Sequence, residues 1–136
     1  MDSIRINTGE IKLMINDDPT RVIKFSPKDL RFAEAFYELI NENEVKTEEF
    51  RARAKDIDDR GGDRGETLVL VREICDFMSS AIDKVFGAGT AITAFGGATE
   101  IDMFRQFLDG VMPYISRDRS KLVDKYTDAK EASVMQ

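Results

Sequence analysis

Between Val85 and Phe104 the chain reads VFGAGTAITAFGGATEIDMF, with two Phe-Gly pairs about one short helix apart. Apolar residues recur at helical spacing on both sides of this stretch, and that arrangement constrains the fold more than any other feature. Leu68, Val71, Ile74, Cys75, Met78, Ile82, Val85 and Phe86 mark one helix from about Glu66. Met103, Phe104, Phe107, Leu108, Val111, Met112 and Ile115 mark another. Gly87 stands where a helix can end in a left-handed residue. Thr90 can start a short helix over Ala91 to Phe95, Gly96-Gly97 stop it, and Thr99 can cap the helix that follows. Pro113 removes one backbone bond from that last helix and predicts a kink or interruption there.

Upstream, Ile4 and Ile6 and then Ile11, Leu13 and Ile15 alternate with polar residues around the Gly-containing turn Asn7-Thr8-Gly9-Glu10. Asn16-Asp17-Asp18-Pro19 is a second turn, and Arg21 to Phe25 a third extended run. Two or three strands alone are marginal in water, so this sheet needs a helix to pack on. Ser26-Pro27-Lys28-Asp29 predicts that helix, with Ser26 as its cap and Pro27 in its first turn. Its apolar face is carried by Leu30, Ala33, Phe36, Tyr37 and Ile40. From Asn41 onward charges of both signs crowd the chain. Thr47-Glu48-Glu49 predicts a separate, largely solvated helix to about Arg60, and Arg60-Gly61-Gly62-Asp63-Arg64-Gly65 predicts a mobile linker.

These elements predict a single domain over 1–136 of the mainly α (α+β) class, a small helical bundle with an N-terminal antiparallel β-hairpin or three-stranded sheet. Its parts are a β-hairpin region at 1–25, helices at 26–60, a flexible linker at 61–65, a helical core at 66–116 and a C-terminal helix or tail at 117–136.

The chemistry available is narrow. The 136 residues include no His and a single Cys, Cys75, so no Ser-His, Cys-His or His-metal arrangement can be built. A phosphate loop needs Lys and Ser or Thr after its glycines, and a dinucleotide fingerprint needs a strand before them. Neither context surrounds Gly87 or Gly96. The acidic run Asp56 to Asp63 resembles a calcium loop only weakly, because Arg60 takes a ligand position and Thr67 stands where the closing Glu belongs. A formal charge of −6 without a basic cluster argues against a nucleic-acid partner. The opening residues lack the pattern of a secretion signal, and no segment suits a membrane span. The expectation is a cytoplasmic, non-enzymatic protein with no catalytic residue, no cofactor and no metal.

The run AIDKVFGAGTAITAFGG, Ala81 to Gly97, followed by an amphipathic helix ending VMPYI, resembles the C-terminal half of small tail assembly chaperones of long-tailed bacteriophages of Gram-positive hosts. Asp83, Phe86, Gly87, Gly89, Phe95, Gly96 and Gly97 carry the likeness, and FSPKDLRFAEAF resembles their N-terminal half. Ala98-Thr99-Glu100 is less apolar than that pattern, and the Gly61 to Gly65 stretch is not part of it. The resemblance implies a chaperone that coats the helical tape-measure protein in the host cytoplasm and recruits tail-tube protein. Such a protein can form a homo-oligomer and has no nucleic-acid or membrane partner. A structural tail or connector subunit forming a ring is the alternative. On this view Gly87, Gly89, Gly96 and Gly97 are structural hinges, and Phe86, Phe95, Met103, Phe104, Phe107 and Met112 are candidates for a protein-binding surface.

Overall fold

The computed structural model describes residues 1–116, and the C-terminal helix or tail expected at 117–136 lies outside the described residues. The fold is mainly helical with an antiparallel hairpin at its start. Strands β1 (Ile11–Ile15) and β2 (Asp18–Phe25) pair as a two-stranded sheet. They are joined through Asn16 and Asp17, whose φ angles are 53° and 59°. Asn and Asp enter the left-handed region more cheaply than other side chains. Two such residues in succession make the hairpin turn whose twist matches that of the strands.

The extra strand expected around Ile4 and Ile6 does not form, because residues 1–10 carry no regular structure. Asn7-Thr8-Gly9-Glu10 is therefore not a hairpin turn. Asn7 Oδ1 accepts the Gly9 amide at 2.9 Å, a local bond that leads into β1 without reversing onto it.

The ladder runs from Ile11 opposite Phe25 to Met14 opposite Val22, then shifts so that Ile15 faces Asp18. Pro19 falls in this irregular stretch, where no ladder donor is needed. The Asp18 carboxylate accepts the Thr20 hydroxyl at 2.7 Å and the Thr20 amide at 2.9 Å. These bonds hold the Asp18 carboxyl below its usual value. A bulge of this kind re-aims neighbouring side chains, and here Arg21 is turned toward the helices.

Helix α1 (Leu30–Asp59) is capped by Asp29, whose side chain accepts the Arg31 amide at 2.9 Å, and not by Ser26. Ser26 contributes its carbonyl to the Asp29 amide instead, and Pro27 is fully buried in the turn that precedes the helix. The two helices expected before and after Asn41 are one element of 30 residues, about 45 Å long. Residues 41–47 contain neither Gly nor Pro, so nothing in them stops propagation. The buried face runs through Phe32, Phe36 and Leu39, while Leu30 and Tyr37, expected on it, are exposed. The far half is less solvated than its charge suggests. Ile57 is buried, Phe50 meets Phe77 edge-on at 6.2 Å, and Arg53 makes a two-pronged ion pair with Glu73.

The expected flexible linker at 61–65 is a tight helix–helix turn. The Gly61 amide bonds the Asp58 carbonyl at 3.1 Å and the Gly62 amide bonds the Ile57 carbonyl at 2.8 Å. Gly61 has φ 67°. This is the paired-bond helix ending that a left-handed glycine permits. Asp63 then caps α2 (Arg64–Phe86) by accepting the Glu66 amide at 3.0 Å, so Gly65 already belongs to the helix. Replacing Gly61 by Val is expected to lower unfolding free energy by about 1–2 kcal/mol, the cost of a side chain in the left-handed region. Urea denaturation followed by circular dichroism measures it.

Helix α2 buries Leu70, Cys75, Met78, Ala81, Ile82 and Phe86. Leu68, expected on this stripe, is exposed, and Leu70 is the first residue of α2 to be buried. Cys75 is 1% exposed and burial pushes its thiol up, so it behaves as a small apolar group. Helix α3 (Thr90–Phe95) follows as expected. Helix α4 occupies residues 101–116 and starts two residues beyond the expected cap Thr99, with the Met103 amide on the Glu100 carbonyl. Pro113 does not interrupt it within the described residues. Phe107, Val111 and Ile115 face the core one turn apart while Pro113 is exposed.

Candidate functional site

The glycine connector is built as two helix ends fastened by side chains. Gly87 closes α2 with its amide on the Asp83 carbonyl at 2.9 Å and has φ 114°, ψ 150°. That backbone region is essentially closed to any residue with a Cβ. Gly89, Gly96 and Gly97 also have positive φ. Thr90 donates its hydroxyl to the Gly87 carbonyl at 2.8 Å, and the Asp83 carboxylate accepts the Ala91 amide at 2.8 Å. A fixed carboxylate thus occupies the start of α3, where a phosphate would have to approach.

The other end of α3 is held from the sheet. The Arg21 guanidinium donates to the Thr93 carbonyl at 2.9 Å and to the Ala94 carbonyl at 2.6 Å. A cation at a helix C-terminus satisfies carbonyls that have no partner inside the helix. Nothing in the spacing of the sequence singles out Arg21, because its partners lie more than 70 residues away. Arg21→Met is expected to lower stability by about 2 kcal/mol, the worth of hydrogen bonds from a charged donor. Arg21→Lys should restore only part of it, since an ammonium does not span both carbonyls as the planar fork does. Thermal melts of the three proteins compare them.

Four of the six candidate binding residues belong to the interior. Phe86, Phe95, Phe104 and Phe107 are all buried. Phe86 meets Phe25, Phe32, Phe36 and Phe107 at centroid distances of 5.2–6.2 Å. Phe95 packs edge-on against Phe104 at 4.7 Å and against Phe107 at 5.7 Å. Their role is correspondingly corrected from surface to core: the connector folds α3 back over α4, and the rings fill the space between them.

The remaining two candidates, Met103 and Met112, mark two apolar grooves. One, of about 370 Å³, lies among α1, α2 and α4. Its apolar lining comes from Ile40 and Phe50 on α1, Ile74 and Phe77 on α2, and Leu108 and Met112 on α4. Ile101 and Met112 are 43% and 38% exposed at its mouth. Its rim carries both signs of charge. Arg105 pairs with Asp102 at 2.9 Å and Asp109 at 3.0 Å, and the Lys46 ammonium stands 5.8 Å from the Phe77 ring centre. Hydrogen bonds from Arg105 and Gln106 hold the Asp102 carboxyl below its usual value. Phe77 and Ile101 did not stand out in the sequence. Ile74 and Phe77 are one turn apart on α2, and that spacing was the available signal.

The second groove, of about 330 Å³, opens between β1, α3 and α4, with Met103 beside Phe95, Phe107 and Val111. Among the described residues no group of three His, Cys, Asp or Glu side chains is arranged to hold a metal ion. Within the acidic run Asp56 pairs with Arg60, Asp59 pairs with Lys55, and Asp63 caps α2. No helix among the described residues is long and apolar enough to cross a membrane.

A family model described as a family of unknown function, DUF6673, matches residues 20–134. No curated protein and no solved structure matches the chain.

Proposed function

We propose that this chain, which belongs to the DUF6673 family, is a non-enzymatic phage tail assembly chaperone whose α1–α2–α4 groove receives an amphipathic helix of the tape-measure protein. The groove itself is the observation that carries this reading. It is apolar along its floor, bounded by three helices, and edged by Lys46, Arg105 and Asp109. An amphipathic helix docks in such a site by laying residues at i, i+3, i+4 and i+7 on the floor, with its flanking charges over the rim. Met112 at the mouth adapts its shape to different side chains, which suits a partner whose long helix presents many similar but unequal segments. The net charge of −6 keeps many copies dispersed along one partner. The likeness around Gly87 to Gly97 supplies the identity of the partner class, and recruitment of tail-tube protein in the host cytoplasm belongs to the same proposal.

Co-expression with a tape-measure protein tests it. The expected result is a larger soluble fraction of the tape-measure protein and its co-purification with this chain. An insoluble tape-measure protein that leaves no trace in the purified fraction contradicts the reading.

A further inference from the structure

Residues 1–8 form an arm that stands exposed among the described residues. All of them are exposed, with Ile4 and Ile6 at 88% and 78%. Ile4 and Ile6 are two apart, so in an extended chain both point to one face and Arg5 to the other. The arm has no regular structure and does not pair with β1. Gly9 lies against the Lys28 side chain, where an added Cβ would be 3.0 Å from Cδ, beyond the Ile11–Phe25 end of the ladder.

The free edge of β1 is the other half of the observation. The sheet has two strands, and β2 is engaged with α3 through Arg21. The outer edge of β1 has no strand beside it among the described residues, and the groove of about 330 Å³ opens along it. Leu13, Ile15, Phe95, Phe107 and Val111 line that groove, and Gly110 on α4 leaves open space around its own Cα.

We propose that the arm of one copy adds as a strand to the β1 edge of a second copy of this chain, seating Ile4 and Ile6 in the groove between β1 and α4. Strand addition satisfies edge amides and carbonyls that otherwise face water, and the alternate side chains give the specificity. Antiparallel pairing with Ile4 opposite Ile15 and Ile6 opposite Leu13 puts Arg5 opposite Met14 and keeps it from facing Lys12, where like charges would repel. Size agrees with this occupant. If each copy gives an arm and receives one, roughly 15–20 residues per copy are engaged, close to the roughly 20–30 of a standard specific interface. The exchange is independent of the helix-binding groove, which lies on the other side of α4.

Sedimentation velocity of the full chain over a range of concentrations, with two variants, tests the proposal. Ile4→Asp/Ile6→Asp disables the arm without touching the core. Gly110→Phe adds a ring at a helical position that lines the groove, where a Cβ meets nothing within 4 Å. The wild type is expected to self-associate, and each variant to weaken that association by roughly 100-fold or more, the least that losing or displacing two buried isoleucines should cost. The arm variant should keep the wild-type melting temperature, measured at a concentration where both are monomers. A mixture of the two variants should form a complex that neither forms alone, because one retains a working arm and the other a working groove. A wild type that stays monomeric at the highest concentration overturns the proposal, since the arm then has no partner copy. So does association that survives in the arm variant.

Discussion

Phe86→Ala is expected to lower the unfolding free energy by about 3–5 kcal/mol, the cost of deleting a large aromatic from a filled core. Domains of this size are stable by roughly 5–15 kcal/mol, so the variant stands near the edge of folding. The reason lies in where Phe86 sits. It ends α2, directly before the Gly87 turn, and its ring is shared by the sheet through Phe25, by α1 through Phe32 and Phe36, and by α4 through Phe107. Removing it opens a cavity where the elements meet, and no one of them can close the gap without leaving the others. Phe86→Leu keeps most of the apolar volume and should cost about half as much. Urea denaturation followed by far-ultraviolet circular dichroism measures both. A Phe86→Ala protein with an unchanged midpoint would mean that the ring cluster does not hold the fold together.

The second large effect is on binding. Ile101→Asp/Met112→Asp places two carboxylates at the mouth of the α1–α2–α4 groove, at positions already more than one third exposed. Stability should change by less than about 1 kcal/mol, as for most surface substitutions. If the groove receives a tape-measure helix, its affinity should fall by roughly 100-fold, because two apolar contacts are lost and two carboxylates must give up water where the partner docks. Titration of the purified variant with a peptide from the tape-measure protein gives the ratio. Equal affinities for variant and wild type would move the binding site elsewhere on the molecule.

Much of this architecture could be read from local rules. The spacing of Ile74, Cys75, Met78 and Ile82 specifies α2, and the glycines at 87, 89, 96 and 97 bound the short helix between α2 and α4, because both signals act within a few residues. Expectation and structure part where a local signal has two outcomes. Ser26-Pro27 and Asp29 are both good starts for a helix, and burial of Pro27 in the preceding turn favoured Asp29. Charge crowding after Asn41 suggested a break and solvation, yet charges do not end a helix and the α2 face was there to pack against. The Gly61-Gly62 pair served a helix ending and not a linker, which only the bonds to Asp58 and Ile57 reveal.

The candidate site was less legible. Apolar spacing on α4 identifies the stripe but not which side of the helix is covered, so Phe104 and Phe107 could not be told from Met103 and Met112 until α1, α3 and the hairpin were in place. Arg21 is invisible to any local pattern, because its partners are carbonyls on α3. The two grooves exist only as spaces between elements distant in sequence.

The most direct measurement is site-specific photocrosslinking in cells that co-express the tape-measure protein, with the photoreactive residue p-benzoylphenylalanine placed at position 112 or, as a control, at position 34. Met112 opens on the groove, whereas Glu34 is an exposed residue of α1 that does not line it. A covalent adduct with the tape-measure protein from position 112 and none from position 34 is the result expected if the groove receives its helices. No adduct from position 112, or equal adducts from both positions, would contradict it.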